Sequence, residues 1–388
     1  MARISKIAGS IQTSFTRQLF NMAKQYEDVV DLTLGDPDLQ PHTDIKNAAC
    51  IAIQDGKTRY SQNAGLLELR DVISKYYLDN EGLSYNSTNE IIATVGAMEG
   101  LYLSLLSLID DGDEVIIPAP YYVNYAQMVR MCGGKPIIVD NDLSNDLSIN
   151  VKAIESVINQ KSKVIIINTP CNPSGRIIST ETIKGIAELA KKYDLIVIAD
   201  EVYKSLIYDN ISWFSIAKIE GMKERCLLVN SLSKEFCMTG YRIGYVVGPS
   251  EVIEAMTKLQ ENVAACAPLP SQYAAIEALK GGYNYSKNMV SIFTKRRDYI
   301  INEIKRINGL SCIVPDATFY LMVDISQTGM SSLDFAISLL ETVHVAVVPG
   351  LTYGQCCDKY VRIAFTKDIS VLAEAIRRIS LYMNKLVR

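Results

Sequence analysis

Four residues that could do chemistry each follow a short apolar run rich in Val and Ile: Gly96, Asn172, Asp200 and Lys234. A carboxylate can hold a proton or a cation, and an amine can act as a nucleophile or a base. Singly, each also has an ordinary explanation as a turn residue, a helix cap or a solvated charge. If the apolar runs are strands of an open α/β sheet, their ends face one ligand site. The joint occurrence of the four residues therefore indicates a binding site.

Histidine is nearly absent from this chain. Its 388 residues include two histidines, His42 and His344, about 300 positions apart. A His-rich metal centre is therefore excluded, no metal is expected, and a Ser/His/Asp relay has only these two candidates. The sequence also lacks a phosphate-binding loop, because Ile51 stands where the first glycine before Gly56-Lys57-Thr58 is required. Acid–base chemistry must come from other side chains or from a bound group that is not part of the polypeptide.

The composition is that of a globular protein with a large core. Hydrophobic residues make up 48% and charged residues 21%, and 39 basic against 43 acidic residues give a formal net charge of -4. Without a basic surplus, nucleic acid and anionic membranes are not expected as partners. At about 150 residues per domain, the length predicts two or three domains.

The nine cysteines are scattered and form no C-x-x-C pair, a pattern typical of the reducing cytoplasm. No apolar run approaches the ~20 residues that span a bilayer. The first residues carry charges without an apolar segment behind them. We therefore expect a cytoplasmic protein without a membrane segment.

The middle of the chain alternates apolar runs with amphipathic stretches. The runs predict buried strands at Glu90–Val95, Glu114–Ile117, Lys135–Val139, Lys163–Asn168, Leu195–Ala199, Cys226–Asn230 and Arg242–Val247. Helices are predicted between them, including Met98–Leu108 and Ser179–Tyr193 with Ser179 as N-cap. Strands that alternate with helices predict a mostly parallel sheet covered on both faces.

The two chain ends have a different pattern, which predicts a second unit. An arm and a helix precede a strand at Val30–Leu34. After residue 283 the pattern predicts a helix at Asn288–Asn308, strands near Phe319–Val323, Val343–Val348 and Val361–Phe365, and a terminal helix. The predicted fold is α/β, with a large domain at 41–282 that contains the mostly parallel sheet flanked by helices. A smaller α+β domain is built from both termini, at 1–40 and 283–388.

Ordered motifs along the chain resemble one known family over roughly residues 5–380. The longest is Ser231-Leu-Ser-Lys-Glu-Phe-Cys-Met-Thr-Gly-Tyr-Arg-Ile-Gly244. The others are Gly35-Asp-Pro-Asp38, Tyr60 with Gly65 and Leu69-Arg70, Val95-Gly-Ala97, Pro120-Tyr-Tyr-Val-Asn-Tyr125, Asn172-Pro-Ser-Gly175, Ala199-Asp-Glu-Val-Tyr203 and Val361-Arg-Ile363. In this order they resemble the class I and II aminotransferases, enzymes of fold type I that depend on pyridoxal 5'-phosphate.

The resemblance implies how the cofactor ring is held. Lys234 would form the Schiff base with the cofactor aldehyde and move the proton during catalysis. Asp200 would keep the pyridine nitrogen protonated, and Tyr203 and Asn172 would hydrogen-bond the phenolic oxygen of the ring. Tyr122 stands where the family stacks an aromatic side chain on the cofactor.

The resemblance also implies a site for the cofactor phosphate. Backbone amides at a helix N-terminus, two hydroxyls and a guanidinium would bind it. These donors belong to Gly96, Ala97, Met98, Ser231, Ser233 and Arg242. Tyr60 would reach the phosphate of the neighbouring subunit, so a homodimer with shared active sites is expected.

For the substrate, the resemblance implies that Arg362 binds the α-carboxylate, that the backbone of Gly35 assists, and that Tyr122 and Asn172 lie alongside. One aspartate-using branch of the family carries a lysine where this chain has Met98. Methionine cannot form that charge pair, so an aspartate-like, an aromatic and other side chains of the donor all stay open.

The expected function is transfer of an amino group from an L-amino acid to a 2-oxo acid such as 2-oxoglutarate. A C–S lyase on the same scaffold would share Lys234, Asp200 and Arg362 and is the alternative. A third hypothesis is a regulator with an aminotransferase-like sensor domain. It is disfavoured, because only about 30 residues precede the family core and no basic excess is present.

Overall fold

The computed structural model describes residues 4–11, 15–140 and 147–386. Its α-helices are α1 (Lys6–Ser10), α2 (Phe15–Ala23), α3 (Thr43–Gln54), α4 (Leu67–Glu81), α5 (Gly96–Leu108), α6 (Asn124–Met131), α7 (Val151–Val157), α8 (Thr180–Lys192), α9 (Leu232–Glu235), α10 (Ser250–Val263), α11 (Leu269–Gly281), α12 (Tyr283–Ile304), α13 (Ser332–Val343) and α14 (Ile369–Leu386). Its strands are β1 (Val30–Asp31), β2 (Ile91–Thr94), β3 (Glu114–Pro118), β4 (Lys135–Val139), β5 (Ser162–Asn168), β6 (Ile196–Asp200), β7 (Cys226–Ser231), β8 (Gly244–Val247), β9 (Ser311–Ile313), β10 (Tyr320–Asp324), β11 (Val345–Ala346), β12 (Val348–Pro349) and β13 (Tyr360–Ala364).

A seven-stranded sheet forms the centre of the molecule, in the order β2-β8-β7-β6-β5-β3-β4. Only β8 runs antiparallel to its neighbours β2 and β7, so the predicted mostly parallel sheet is confirmed. Alternate residues of β5 enter two different cores: Ile165 and Ile167 pack in one, and Val164 and Ile166 in the other. Both faces of the sheet are buried, which is why its strands are continuous runs of Val and Ile.

The carboxyl edge of this sheet gathers the polar strand ends. Asn168 at the end of β5 pairs in register with Asp200 at the end of β6, and Asp200 pairs with Val229 of β7. Ser231 ends β7 and caps α9, where its hydroxyl accepts a hydrogen bond from the Ser233 amide. Gly96 opens α5 directly after β2. The parallel topology therefore brings distant segments to one edge.

Both ends of the chain contribute to a second core. It contains Leu19 from α2 together with buried residues of α12, α13 and α14, such as Phe293, Phe335 and Ile376. A four-stranded antiparallel sheet, β12-β13-β10-β9, and the parallel pair β1-β11 belong to this part. The domain boundaries at 40/41 and 282/283 stay a prediction.

Several predicted elements differ in extent from those observed. The single strand predicted at Val343–Val348 is wrong, because α13 continues to Val343 and two short strands of different sheets follow. The left-handed backbone of His344 (φ 54°) redirects the chain between α13 and β11. The helix predicted at Asn288–Asn308 is observed at Tyr283–Ile304. It begins at Tyr283 because Gly282 (φ 49°) separates it from the preceding helix α11.

Within residues 4–11, 15–140 and 147–386, no helix has both the length and the apolar character needed to cross a membrane.

Candidate active site

A cavity of about 700 Å³ lies at the carboxyl edge of the seven-stranded sheet, next to the second core. Twelve residues predicted for the site line it: Gly35, Ala97, Met98, Tyr122, Asn172, Asp200, Tyr203, Ser231, Ser233, Lys234, Arg242 and Arg362. Gly96 packs directly behind the Arg242 guanidinium. Tyr60 does not line the cavity of its own chain and is 86% exposed.

The Lys234 amine projects into this cavity from α9. Its Nζ donates a hydrogen bond of 2.7 Å to the carbonyl oxygen of Gly35 and lies 5.5 Å from the centre of the Phe319 ring. The Ser231 cap fixes the start of the short helix that carries it. A primary amine held by one carbonyl, beside an aromatic face, is available as a nucleophile or a base.

Asp200 provides a buried carboxylate on the floor of the cavity, with 4% of its surface exposed. Its Oδ2 accepts a hydrogen bond of 2.5 Å from the Tyr125 hydroxyl, and its Oδ1 accepts one of 3.3 Å from the Val202 amide. Burial raises the pKa of Asp200 to about 6, although these two hydrogen bonds and the Lys234 charge lower it. A cationic partner in the cavity would stabilise the ionised form of this buried carboxylate.

A helix N-terminus forms the next part of the cavity wall. Ala97 and Met98, in the first turn of the 13-residue helix α5, line the cavity. Gly96 has φ 74°, and a Cβ atom there would lie 2.6 Å from Arg242 Nη2. Only glycine therefore lets the guanidinium approach this turn. Free amides and the helix dipole at such a turn favour an anion.

Hydroxyls and a guanidinium complete the same wall. The Ser231 hydroxyl donates a hydrogen bond of 2.8 Å to Ser233 Oγ, and both serines are buried. Arg242 has a left-handed backbone (φ 50°), and its exposed guanidinium donates to the Thr239 carbonyl oxygen at 2.9 Å. Together with the α5 amides, these groups provide a set of donors that suits a phosphate.

Arg362 of β13 lies on the opposite side of the cavity and is 5% exposed. Its Nη1 donates to Asn172 Oδ1 at 3.0 Å and its Nη2 donates to the Thr33 carbonyl oxygen. Its buried Nε has no hydrogen-bond partner among the described residues. Within the described part of the chain, Arg362 forms no ion pair with a carboxylate. A buried guanidinium with an unused donor is suited to bind a carboxylate from outside.

Two phenols lie between these groups, the half-buried Tyr122 and the buried Tyr203. Burial raises the pKa of Tyr122 to about 12, and its hydroxyl accepts a hydrogen bond of 3.0 Å from Asn124 Nδ2. Burial also raises the pKa of Tyr203, whose hydroxyl is 3.2 Å from that of Tyr320. Both phenols therefore stay neutral hydrogen-bonding groups near pH 7.

Several residues of the site were given no role by the sequence. Tyr125, which lies within a motif that carried the resemblance, bonds Asp200. Tyr320, which lies in the strand predicted at Phe319–Val323, contacts Tyr203. Asn168 links two site residues, since its Nδ2 donates to the Asp200 carbonyl oxygen at 3.0 Å and its Oδ1 accepts from the Asn172 amide at 2.7 Å. The signal for Asn168 was its place at the end of a predicted strand.

Comparison with known proteins assigns the family. The model of the family "Aminotransferase class I and II" matches residues 27–379. This chain is a class I and II aminotransferase. A putative aminotransferase of Bacillus subtilis, YugH, is 37% identical over 98% of both chains. The aspartate aminotransferase of Pyrococcus abyssi is 37% identical over 97% of this chain and 96% of its own.

Solved structures agree with this assignment of the class I and II aminotransferase. The aromatic aminotransferase of Pyrococcus horikoshii superposes with a TM-score of 0.90, at 36% identity, over 95% of this chain and 99% of its own. The predicted family, fold type and enzyme class are thereby confirmed. These relatives are named as aminotransferases, so they give no support to the C–S lyase alternative.

Proposed function

We propose that this aminotransferase binds pyridoxal 5'-phosphate in the cavity and transfers the amino group of an L-amino acid to a 2-oxo acid such as 2-oxoglutarate. One observation carries the proposal: a single cavity joins the Lys234 amine, the buried Asp200 carboxylate and the buried Arg362 guanidinium. Family membership supports the same cofactor. The site thus offers a partner for each charged part of cofactor and substrate.

The residues present fit the cofactor. The buried Asp200 carboxylate, whose pKa burial raises to about 6, suits a protonated ring nitrogen. The turn at Gly96, where a Cβ atom would collide with Arg242, leaves a cradle of donors for a phosphate. When bound, the cofactor would supply an electron sink for the substrate Cα and a carrier for the amino group.

The side chains of the cavity divide the remaining work. Arg362 binds the α-carboxylate and orients the substrate through its unused Nε and its remaining donors. Lys234 Nζ, released from the Gly35 carbonyl, takes the proton from the substrate Cα and holds it inside the cavity. Tyr203 donates a hydrogen bond into the cavity, Asn172 holds Arg362 Nη1, and Tyr122 offers an aromatic face.

A panel of amino donors and 2-oxo acids tests the proposed function. The holoenzyme is mixed with one donor at a time, and its absorbance spectrum is followed. A donor alone should convert the bound cofactor to its amino form, and a 2-oxo acid should reverse the conversion. Release of pyruvate and ammonia without this conversion would instead establish a lyase.

The side chain of the preferred donor is a separate proposal. Met98 contacts the hydroxyl of Tyr122 at 3.6 Å and places a thioether, not a charge, in the cavity wall. The relatives above are named for aspartate and for aromatic amino acids. We propose a donor from these two classes, and the same panel ranks aspartate against tyrosine and phenylalanine by kcat/KM.

Arg362→Leu tests the carboxylate site. We expect KM to rise about 10²-fold or more for every amino donor, because the buried charge that binds the common α-carboxylate is lost. The cofactor should stay bound, which its absorbance after gel filtration reports. Arg377→Leu is the matched control, since its side chain is 60% exposed and pairs with Glu374 on α14. A loss confined to one donor would place Arg362 in a side-chain pocket.

Gly96→Ala tests the phosphate cradle. A methyl group 2.6 Å from Arg242 Nη2 must displace the guanidinium. We expect the dissociation constant of the cofactor to rise about tenfold or more, because one charge-assisted contact is lost. Gly56→Ala is the matched control, since Gly56 has a similar φ of 70° and nothing within 4 Å of the added atom. Equal losses in both variants would assign the effect to backbone strain.

We further propose a homodimer in the cytoplasm. The exposed Tyr60, which does not line its own cavity, supports a role in the site of a second copy. No cysteine forms a disulfide in the part of the chain that the structure describes, which supports a reducing compartment. Sedimentation should give twice the mass of one chain, and fractionation of the source cells should recover the activity in the cytosol.

A further inference from the structure

Tyr320 contacts three of the predicted site residues, Gly35, Tyr203 and Arg362. It opens β10, is 3% exposed and lines the cavity. In the pairing of β10 with β13, Tyr320 faces Ala364, so Arg362 is its diagonal neighbour on the same face. The Arg362 guanidinium lies 4.2 Å from the centre of the Tyr320 ring, and the Tyr320 hydroxyl lies 3.2 Å from that of Tyr203.

The loop at Gly35, which accepts the hydrogen bond from Lys234, also packs against Tyr320. A Cβ atom at Gly35 would lie 1.7 Å from the Tyr320 hydroxyl oxygen, so this loop residue has no space for a side chain. The Gly35 carbonyl is the group that accepts the hydrogen bond from Lys234. Tyr320 therefore contacts Tyr203, Arg362 and the backbone at Gly35 simultaneously.

We infer that Tyr320 is a positioning residue with two separable functions, one for its hydroxyl and one for its ring. The hydroxyl orients the hydrogen bond that Tyr203 donates into the cavity, and the ring holds the Arg362 guanidinium for the substrate carboxylate. This inference rests on the proposed function, because it uses the roles given there to Tyr203 and Arg362.

The hydroxyl function follows from hydrogen-bond chemistry. Tyr203 has one O–H, which can point to Tyr320 or to an acceptor in the cavity. When Tyr320 donates to the Tyr203 oxygen, the Tyr203 proton is directed into the cavity and is polarised by the first bond. Loss of the Tyr320 hydroxyl then weakens Tyr203 as a donor to the phenolic oxygen of the ligand and raises the proton affinity of the bound chromophore.

The ring function follows from packing. The Tyr320 ring covers one face of the guanidinium at cation–π distance, and the Tyr353 ring lies 5.2 Å from the same group. Two hydrogen bonds, to Asn172 and Thr33, fix the Nη atoms in the plane of the guanidinium. Removal of the Tyr320 ring frees this plane to tilt, which misaligns the donors for every carboxylate.

Other charged and titratable groups face Tyr203 and its neighbour Tyr122. Tyr122 and Arg362 act on Tyr203 electrostatically, and Asp200 and Arg242 act on Tyr122. Lys234 lines the same cavity. None of these groups changes in the variants below, so a shift between variants reports on Tyr320 itself.

The test compares Tyr320→Phe with Tyr320→Leu in the holoenzyme. In Tyr320→Phe we expect the pH midpoint of the visible absorbance to rise by about half a unit, with KM for amino donors within about twofold of wild type. In Tyr320→Leu we expect the same shift in midpoint and a rise in KM of about tenfold for all donors. Tyr382→Phe, a buried phenol beside Met330 in the second core, is the control and should change neither quantity.

Specific outcomes would overturn the inference. An unchanged midpoint in Tyr320→Phe refutes the hydroxyl function, and an unchanged KM in a folded Tyr320→Leu refutes the ring function. Tyr320→Met, which keeps more volume, replaces Tyr320→Leu if the latter fails to fold by circular dichroism. Absence of a visible band in the wild-type protein would refute the cofactor assignment instead, so the two failures are distinguishable.

Discussion

Lys234→Ala should lose the visible absorbance that depends on a covalent bond between the cofactor and this amine, and turnover should fall at least about 10⁴-fold. The physical reason is that Lys234, whose Nζ lies in the cavity, is the proposed nucleophile and base. The measurements are the spectrum of the purified holoenzyme and the rate of the half-reaction with one amino donor.

Two comparisons make this result specific. Lys258→Ala, in which an exposed lysine paired with Glu254 is removed, should keep both the spectrum and the rate. Added methylamine should restore part of the lost rate in Lys234→Ala, because a small amine can enter the space left by the side chain and act as the base. Turnover at the wild-type rate in Lys234→Ala would refute the assignment of this residue.

Asp200→Asn should have opposite effects on activity and on stability. We expect kcat to fall about 10²–10³-fold, because the amide cannot hold a protonated ring nitrogen by charge. We also expect the cofactor-free chain to become more stable at pH 8, by on the order of 2 kcal/mol, since an ionised carboxylate is no longer buried.

The sign of the stability effect follows from the pKa of Asp200. Burial raises it from 3.8 to about 6 in the folded chain, so between these pH values the folded state binds more protons than the unfolded state. The stability contributed by the protonated form is therefore complete below pH 4 and is lost as the pH rises through 6. Urea unfolding of the cofactor-free variant and wild type at pH 4 and pH 8 measures it, with Asp111→Asn, an exposed carboxylate, as control. A variant that is less stable than wild type at pH 8 would contradict the argument.

The chemistry-bearing residues at strand ends could be predicted from the sequence. Asp200 and Lys234 each follow a continuous apolar run, and parallel strands bring such ends to one edge whatever the details of packing. Arg362 was predicted from the family motifs alone. It lies on β13 of the four-stranded antiparallel sheet, to which the rule on the ends of parallel strands does not apply. The residues that line the cavity could therefore be predicted from the positions of the strand ends and from the order of the family motifs.

The contacts between side chains could not be predicted in this way. Tyr125 bonds Asp200 across 75 residues, and Tyr203 meets Tyr320 across 117. Such pairs depend on how helices and strands pack, which local patterns do not encode. The strands β11 and β12 were missed as separate elements for the same reason, because their partners β1 and β13 are far away in the sequence.

The residues on the two sides of the cavity come from two separately packed parts of the fold. Asp200 ends a strand of the seven-stranded sheet and Lys234 lies in α9, directly after β7, whereas Arg362 and Tyr320 belong to the sheet of the second core. In the proposed function, Arg362 binds the carboxylate of the substrate and Lys234 acts on the Cα of the same molecule, so the bound substrate would connect the two cores. Binding free energy is then partly spent on their alignment. Substitutions deep in the second core, far from any ligand atom, should therefore change affinity for all substrates alike.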